Sequence, residues 1–435
     1  MTAATTYRFM TRTFQWVVNR FYRHTHLGER LDQDGPLLLV ANHPNGLVDP
    51  VLLTRLCRRP VHFLAYAPLF RLPVLGWFAR GMMALPVYRP QDGFSTDQNV
   101  DTFLAVRGAL GNRQVIGIFP EGHSHNFPEV PEKLKTGAAR MALETEAEHD
   151  FQLGIGIVPV GLTYRSKHRF QSSVVTKIGM AIRPADYQEL YQQDPKAAAR
   201  RLTEDIRNAL RRVTLNVHRW DDLPLLEIAQ ALRMPEGKHK VDRLRAVAAQ
   251  YRYLSVQAPD ELEKLRQKFR EFHEKLRSLN LRVEDLYLQY DRGRVMRFAL
   301  DNFLSLIFGT PLALCGAAVW FLPYQITKLV VRSMNPENPY VTTYALLAAM
   351  ALFPLWYGLM LALAAVTGGW LALWMTALLL PPLGALAARL LEKPKEAFRQ
   401  IRLYFGFSSA SNLRAELIHE RDHLAGELRR LEKLY

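Results

Sequence analysis

Residues 344–388 contain no charged side chain, and this run restricts what the chain can fold into more than any other feature. A helix needs about 20 apolar residues to cross a bilayer, so the run is long enough for two crossings. Gly368 and Gly369 lie near its middle and can form a tight turn. Lys and Arg residues flank both ends, which is typical of a hairpin with both ends in the cytosol. We therefore predict a transmembrane hairpin within residues 301–392 rather than a buried pair of helices in a soluble core.

Three other segments are also candidates for contact with lipid. Residues 303–323 are apolar and long enough to cross, although Pro311 and Pro323 can make this segment bent or re-entrant. Residues 1–30 combine arginines with aromatic side chains, which favours an interfacial helix in the headgroup plane; the alternative is a helix packed on its own domain. Residues 393–435 form a charged helical tail, which we expect on the surface or packed on the domain.

The formal net charge is +15, from 56 Lys and Arg against 41 Asp and Glu. These charges are spread without long basic blocks, so a disordered nucleic-acid-binding tail is not expected. The excess favours contact with anionic lipid and with phosphorylated substrates. Cys57 and Cys315 are the two cysteines, so no disulfide framework is indicated. Because the arginines interrupt the N-terminal apolar residues, no secretory signal is predicted, and the catalytic part is expected in the cytosol.

Residues 31–186 alternate short apolar segments with helical ones. This alternation predicts an α/β fold, a mostly parallel sheet with flanking helices. The expected strands are 37–41, 61–66, 83–88, 115–119, 155–164 and 174–182, and the expected helices are 48–57, 70–79, 97–110 and 136–146. Residues 187–300 show helical periodicity instead, with a seam of apolar residues at spacings of three and four: Leu262, Leu265, Phe269, Phe272, Leu276 and Leu279. We interpret this part as a helical insertion.

His43 and Asp49 follow the apolar run of residues 37–40, in the stretch Ala-Asn-His-Pro-Asn-Gly-Leu-Val-Asp-Pro. Pro44 disfavours helical geometry at His43, which places the imidazole in a strand-to-helix turn. Open α/β sheets build their sites at the carboxyl ends of strands. An imidazole oriented by a carboxylate can take a proton from an alcohol at neutral pH. The pair therefore indicates an enzyme that activates a hydroxyl, although alone it is also compatible with a histidine bonded in a loop.

Three further stretches have the same character. Arg89 follows a strand in Leu-Pro-Val-Tyr-Arg-Pro, where its planar guanidinium suits a phosphate. Glu121 follows another strand in Phe-Pro-Glu-Gly-His-Ser-His, beside Gly122, which lets a ligand approach the backbone. Residues 157–161, Ile-Val-Pro-Val-Gly, form an apolar strand that can line an acyl slot. Each stretch alone is as compatible with structure as with function, whereas their order and spacing favour a site.

Taken together, residues 36–185 resemble the glycerolipid acyltransferases, the family of the lysophosphatidate and glycerol-3-phosphate acyltransferases. The motifs of that family look like Asn-His-(x)4-Asp, a Pro-to-Arg block, Phe-Pro-Glu-Gly and an apolar Val-Pro block, and Leu-Lys-Thr-Gly-Ala resembles its basic segment. Asp49 lies six positions after His43 rather than five, so the turn must absorb one extra residue. In this respect the chain is similar to the fungal-type branch that acts on glycerol 3-phosphate or dihydroxyacetone phosphate.

The resemblance implies a reaction and a role for each residue. His43 would deprotonate a glycerol hydroxyl as it attacks an acyl thioester, with Asp49 orienting the ring. The substrate-binding residues would be Arg89 and Lys135 for the phosphate, and Glu121 and Gly122 for the glycerol part. The co-substrate would be acyl-CoA or an acyl carrier protein thioester, with no further cofactor and no metal. Phospholipid biosynthesis at a cytoplasmic or inner membrane, with the catalytic domain on the cytosolic face, is the setting implied.

Other classes of function stay open at this point. A metal-dependent hydrolase could use His43, Asp49, His123 and His125 as ligands, although further ligands on matching turns would be expected. A membrane-anchored scaffold that has lost activity would keep the fold without needing His43, Arg89 and Glu121. A transporter is disfavoured because the apolar run carries no charged residue.

Overall fold

The computed structural model describes most of the chain, and it divides into two compact units. The described residues are 2–28, 31, 34–88, 100–217, 219–232, 240–287, 309–390 and 411–434. The first unit comprises Met1–His218 together with Glu337–Thr343, and the second comprises Arg219–Pro336 and Tyr344–Tyr435. The short segment Glu337–Thr343 thus belongs with the first unit although it lies far along the sequence.

A seven-stranded sheet forms the centre of the first unit. Its strands are β1 (Tyr22–Leu27), β2 (Leu37–Ala41), β3 (Val61–Tyr66), β4 (Leu85–Val87), β5 (Val115–Ile118), β6 (Gly156–Tyr164) and β7 (Ser172–Ile178). The order across the sheet is β1-β7-β6-β2-β5-β3-β4. Neighbouring strands are parallel except β6 and β7, which are antiparallel. The predicted α/β fold with a mostly parallel sheet is confirmed.

Helices cover the sheet. They are α1 (Ala3–Phe21), α2 (Val48–Leu53), α3 (Pro73–Gly81), α4 (Val100–Gly111), α5 (Gly137–Glu148), α6 (Gln188–Gln193) and α7 (Pro195–Val213). Leu38 and Val40 of β2 belong to a buried apolar cluster with α4, α5 and α7. Leu37 and Leu39, which alternate with them, are also buried. Because strand side chains alternate between faces, both faces of β2 are covered, as a central parallel strand requires.

The N-terminal helix and the first strand differ from the prediction. Helix α1 buries Tyr7, Met10, Phe14 and Val18 against neighbours that include α2 and α3, so it packs on its own domain. Its other face exposes aromatic side chains, among them Trp16. Strand β1 follows α1 directly and pairs with β7. The α/β unit therefore begins before residue 31, because the helix and strand at its start are parts of one packed structure.

The predicted helical region, 187–300, is also divided differently. Helix α7 buries its apolar side chains, including Leu202, Ile206 and Leu210, in the cluster below the sheet, so it belongs to the first unit. In the second unit, α8 (Leu223–Leu232), α9 (Lys240–Gln257) and α10 (Pro259–Ser278) pack together. Five of the six residues of the predicted apolar seam are buried on α10, whereas Leu279 follows the helix and is half-buried. The tail helix α13 (Ser411–Leu434) packs on α10 and α8 rather than standing apart.

Two long apolar helices complete the second unit: α11 (Thr310–Met334) and α12 (Val341–Leu390). Both are long and apolar enough to cross a membrane. Helix α12 is broken at Gly369, where φ is 64°. Tyr357 donates a hydrogen bond to the carbonyl of Ala377 at 2.9 Å, which requires the chain to reverse between them. A hairpin therefore forms where it was predicted. Helix α11 extends beyond the predicted end at Pro323, and residues 301–308 lie outside the described residues.

Candidate active site

The turn between β2 and α2 holds His43 at the carboxyl end of the central strand. Asn42, directly before it, pairs with Leu162 of β6 through both side-chain atoms: Nδ2 donates to the carbonyl at 3.0 Å, and Oδ1 accepts from the N–H at 2.7 Å. This side chain continues the ladder for one residue after the strand ends. The backbone of His43 is thus held to the sheet from one side.

His43 and Asp49 form a hydrogen-bonded pair. Nδ1 of His43 lies 2.9 Å from Oδ2 of Asp49, whose side chain is fully buried. The same Oδ2 accepts from the N–H of Asn45 at 2.7 Å, and Oδ1 accepts from the hydroxyl of Tyr164 at 2.5 Å. Gly46, within the turn, has a φ of 24°. The longer spacing therefore leaves Asp49 in contact with the histidine.

Glu121 supports His43 from the neighbouring strand. It follows β5, which pairs with β2, so the two strand ends meet at one edge of the sheet. Oε2 of Glu121 accepts a hydrogen bond from the backbone N–H of His43 at 2.8 Å. The ring of Phe119 stacks on the imidazole, with centroids 3.8 Å apart. The carboxylate of Glu121 thus fixes the backbone of His43, and the ring of Phe119 packs against its imidazole.

Three side-chain oxygens in this region have no hydrogen-bond partner within the described part of the chain. They are Oε1 of Glu121, Oγ of Ser124 and Oδ1 of Asn45, and all three are buried. Nε2 of His125 lies 2.8 Å from Oε2 of Glu121, although the contact does not have hydrogen-bond geometry. Buried polar groups are rarely left unpaired, so these atoms offer hydrogen-bonding capacity to a bound molecule.

The remaining predicted residues lie at different distances from the pair. Gly122 has φ of 82° and follows Glu121 directly. The exposed Lys135 passes over Gly122, since a Cβ at that glycine would lie 3.4 Å from Cγ of the lysine. Arg89 lies outside the described residues. The structure thus brings His43, Asp49, Glu121 and Gly122 together, with Lys135 at the edge.

The fourth predicted stretch, residues 157–161, lies within β6. Val158 and Val160 are buried next to β2. A Cβ on Gly161 would lie 2.0 Å from the carbonyl oxygen of Val213, so the strand packs directly on the end of α7. This stretch is therefore part of the packed core, and its predicted contact with an acyl chain stays a prediction.

Burial controls the ionisation of the groups around Asp49. Tyr164 is half-buried, and burial first and the charge of Asp49 second raise the pKa of its hydroxyl well above the ordinary value. The phenol therefore stays protonated and donates to the carboxylate. Lys167 donates from Nζ to the carbonyl of Pro44 at 3.0 Å, and burial lowers its pKa to about 8 while Asp49 opposes that shift. The turn thus has a cation within its own hydrogen-bond network.

Sequence reasoning missed Asn45, Tyr164 and Lys167. Asn45 belongs to the motif that was noted, but its backbone contact with Asp49 depends on the turn geometry. Tyr164 is the last residue of a predicted strand, a position where side chains reach the same sheet edge. Its position at the end of a predicted strand is the sequence signal that could have identified Tyr164. The sequence around Lys167 contains no comparable signal.

Among the residues that the structure describes, no group of three or more His, Cys, Asp or Glu side chains is placed to hold a metal ion. His43 turns Nδ1 to Asp49, and His125 lies against Glu121 instead. The four residues considered as metal ligands (His43, Asp49, His123 and His125) therefore do not form one ligand set. This geometry gives no support to the metal-dependent hydrolase.

Residues 23–163 match the sequence model of the Acyltransferase family. This range contains the β2–α2 turn, the end of β5 and most of β6. This part of the chain is therefore similar to the Acyltransferase family, and the matched range contains His43, Asp49 and Glu121. The resemblance expected from the sequence is confirmed.

Three curated relatives are fungal proteins. Glycerol-3-phosphate O-acyltransferase 2 of Saccharomyces cerevisiae is 35% identical over 138 residues, 32% of this chain and 18% of that protein. Glycerol-3-phosphate O-acyltransferase 1 of the same yeast is 23% identical over 75% of this chain and 57% of that protein. An uncharacterized acyltransferase of Schizosaccharomyces pombe is 24% identical over 80% of this chain and 67% of that protein. The chain therefore spans only part of the length of the yeast enzymes.

Among solved structures, this chain is similar to the 1-acyl-sn-glycerophosphate (LPA) acyltransferase PlsC from Thermotoga maritima. It is 21% identical, with a TM-score of 0.31, and the match covers 47% of this chain and 79% of that one.

Proposed function

We propose that this protein transfers a fatty acyl group from an acyl thioester to a hydroxyl of glycerol 3-phosphate or 1-acylglycerol 3-phosphate. The observation that carries the proposal is the bond between His43 Nδ1 and Asp49 Oδ2. With Nδ1 used in this way, the neutral ring has its lone pair on Nε2, which can take a proton. The curated yeast relatives supply the class of acceptor.

In the proposed reaction, one nitrogen atom, Nε2 of His43, both accepts and returns the proton. Nε2 of His43 removes the proton from the acceptor hydroxyl as its oxygen attacks the thioester carbonyl. The C–S bond breaks as the tetrahedral intermediate collapses, and the thiolate takes up a proton from the imidazolium. The buried carboxylate of Asp49 stabilises the imidazolium while it exists. Loss of the base should lower the rate by about 10²–10⁴.

The acceptor phosphate requires cationic partners. We assign this role to Arg89, because a guanidinium can bind phosphate through two parallel hydrogen bonds, and to Lys135 as a second cation. Lys135 lies over Gly122 at the edge of the candidate site. We assign acceptance from a glycerol hydroxyl to Oε1 of Glu121, which has no hydrogen-bond partner among the described residues. The acyl donor is a thioester of coenzyme A or of acyl carrier protein, since both carry the acyl group through the same thioester linkage.

We propose that α12 inserts in the membrane as a hairpin with its turn at Gly369. Its surface supports this assignment, because Leu355, Val366, Trp370 and Leu378 are exposed in the protein alone. Large exposed apolar surfaces are rare on soluble proteins. The basic residues that flank the hairpin favour cytosolic ends for both helices and a catalytic domain on the cytosolic face. The exposed Trp16 of α1, beside Arg20, suits the headgroup region.

An acyl-transfer assay tests the activity. Membranes with the wild type, His43→Ala or His149→Ala are given labelled acyl-CoA with glycerol 3-phosphate or lysophosphatidate. His149 is an exposed histidine at the end of α5, which makes it a matched control. We expect transfer by the wild type and the control, and a loss of 10²–10⁴ in His43→Ala. Equal transfer in all three would overturn the proposed base.

A panel of acceptors tests the substrate. Glycerol 3-phosphate, lysophosphatidate and a neutral diacylglycerol are compared at equal concentration, and the lipid products are identified by mass spectrometry. We expect the phosphorylated acceptors to be used. A product formed mainly from the neutral alcohol would exclude the role given to Arg89 and Lys135, whereas no product from any acceptor or donor would favour a scaffold without activity.

A further inference from the structure

Glu337–Thr343 connects the two apolar helices, yet it contacts the turn that carries His43. It follows α11, includes the first turn of α12 and belongs to the first unit. Oγ1 of Thr343 accepts a hydrogen bond from the backbone N–H of Leu47 at 3.0 Å. Thr342 and Thr343 are both buried, with 1% and 6% of their surface exposed. The connection thus packs on the β2–α2 turn.

The contact supplies what α2 lacks at its start. Leu47 precedes the helix and has no side chain that can cap it. Helix starts leave N–H groups without partners in the helix, and an oxygen from elsewhere must satisfy them when they are buried. Thr343 provides that oxygen to the N–H of Leu47 itself. Since Asp49 lies in the first turn of α2, the contact bears on the helix start that presents the carboxylate.

Gly46 shows how closely the two segments approach. A Cβ at this position would lie 2.6 Å from Oγ1 of Thr343 and 3.0 Å from Cδ1 of Tyr340. Its φ of 24° is also unfavourable for a residue with a side chain. Glycine is therefore required here both by the turn and by the packing of the connection.

A second contact reaches the same turn through Lys167. Thr342 donates from Oγ1 to the carbonyl of Lys167 at 3.0 Å, and Nδ1 of His168 lies 3.1 Å from the same hydroxyl. The amine of Lys167 in turn donates to the carbonyl of Pro44. Two adjacent threonines thus fix the turn at Leu47 directly and at Pro44 through one intermediate residue.

We propose that Glu337–Thr343 is a positioning segment for the catalytic turn, so that acyl transfer depends on the connection between the two apolar helices. Thr343 is the central residue of this role, and it acts through the backbone of residues 44–47 rather than on the substrate. The inference rests on the proposed function for its kinetic consequence. Its structural consequence, an ordered start of α2, does not.

The test compares Thr343→Val, which removes the acceptor at nearly constant volume, with Thr343→Ser, which keeps it. Thr367→Val is the matched control, because Thr367 is exposed and its Oγ1 bonds only the carbonyl of Leu363 among the described residues. We expect kcat to fall about tenfold in Thr343→Val, as one lost hydrogen bond of roughly 1.4 kcal/mol implies. KM for the acceptor should change less than twofold. Thr343→Ser and Thr367→Val should stay within twofold of the wild type.

Hydrogen exchange in the full-length protein provides a readout that needs no activity. The amides of residues 45–53, except Pro50, should exchange about tenfold faster in Thr343→Val, while those of β2 and β5 stay protected and show that the domain is folded. Gly46→Ala is a second variant, and it should raise exchange in the same residues. Unchanged exchange and unchanged kcat in Thr343→Val would overturn the inference, as would a rise in KM alone, which would indicate substrate contact. A wild type without acyl transfer would end the proposed function, and the exchange data would still decide the positioning role.

Discussion

Tyr164 donates its hydroxyl to Oδ1 of Asp49 at 2.5 Å, while Oδ2 of the same carboxylate receives His43. Tyr164 is the last residue of β6 and Asp49 lies in the first turn of α2, so the bond joins these two elements. Asn45 adds a backbone donor to Oδ2. The carboxylate therefore has its orientation set by three donors, of which one is the imidazole of His43.

Removing the tyrosine hydroxyl should weaken catalysis without removing the base. In Tyr164→Phe, Oδ1 of Asp49 stays buried without a donor, which costs about 1–3 kcal/mol where no water replaces it. We expect kcat to fall about tenfold with little change in KM, measured by acyl transfer at saturating donor. Tyr187→Phe is the control, since Tyr187 bonds Asp205 away from the site at 2.7 Å. Equal losses in both variants would mean that the effect is one of stability.

Glu121 allows two roles to be separated in one residue. Oε2 accepts a hydrogen bond from the N–H of His43, whereas Oε1 has no partner in the part of the chain that the structure describes. Glu121→Ala removes both oxygens, and kcat should fall about 10- to 100-fold, because hydrogen bonds to charged groups contribute roughly 1.5–3 kcal/mol. Glu121→Gln keeps one oxygen for His43 and replaces the other by an amide that cannot accept. We therefore expect kcat within about threefold of the wild type and a severalfold higher KM for the acceptor.

Initial rates over a range of acceptor concentrations separate these outcomes. If Glu121→Gln loses as much kcat as Glu121→Ala, the negative charge itself is needed beside the imidazolium. If neither variant changes KM, Oε1 does not contact the glycerol part, and the role predicted for Glu121 from the sequence is wrong.

The central strands could be predicted because their signals are local. β2 and β3 begin and end at the predicted residues, since each is a short apolar run. β1 could not be found in this way. Its sequence, Tyr-Arg-His-Thr-His-Leu, is mostly polar and follows α1 without a turn, and it becomes a strand through pairing with β7 at the sheet edge. Edge strands bury less surface, so their composition is less distinctive.

The contacts of the candidate site can likewise be divided into those that the sequence predicts and those that it does not. His43, Asp49 and Glu121 were assigned to one site because His43 and Glu121 each follow a predicted strand, and open α/β sheets build their sites at the carboxyl ends of strands. The structure adds that these two strands, β2 and β5, are neighbours. The contacts of Tyr164 and Thr343 depend on tertiary packing. Thr343 lies 296 residues after Leu47 and directly before the apolar run of residues 344–388, whose composition indicates only contact with lipid. A single sequence carries no signal for such a pair.

Acid should destabilise the edge of the sheet through His24. This residue of β1 lies 3.1 Å from Oγ1 of Thr176 on β7, and burial, with smaller contributions from Arg55 and His26, lowers its pKa to about 4. The unfolded chain therefore binds the proton first as the pH falls. Stability from this group is complete above pH 6.5 and declines as the pH falls towards 4, by about 2–3 kcal/mol in total.

Thermal unfolding of the detergent-solubilised protein at pH 7.5, 6, 5 and 4.5 measures this dependence. Gln at position 24 cannot titrate, so His24→Gln should lose less stability between pH 7.5 and 4.5 than the wild type does. His149→Gln removes an exposed histidine and should leave the wild-type profile unchanged. Other carboxylates and histidines titrate in the same pH range. The test is therefore the difference in unfolding temperature between the variants and the wild type, and not the unfolding temperature of one protein. Parallel profiles for the wild type and His24→Gln would mean that protonation of His24 is accommodated in the folded sheet.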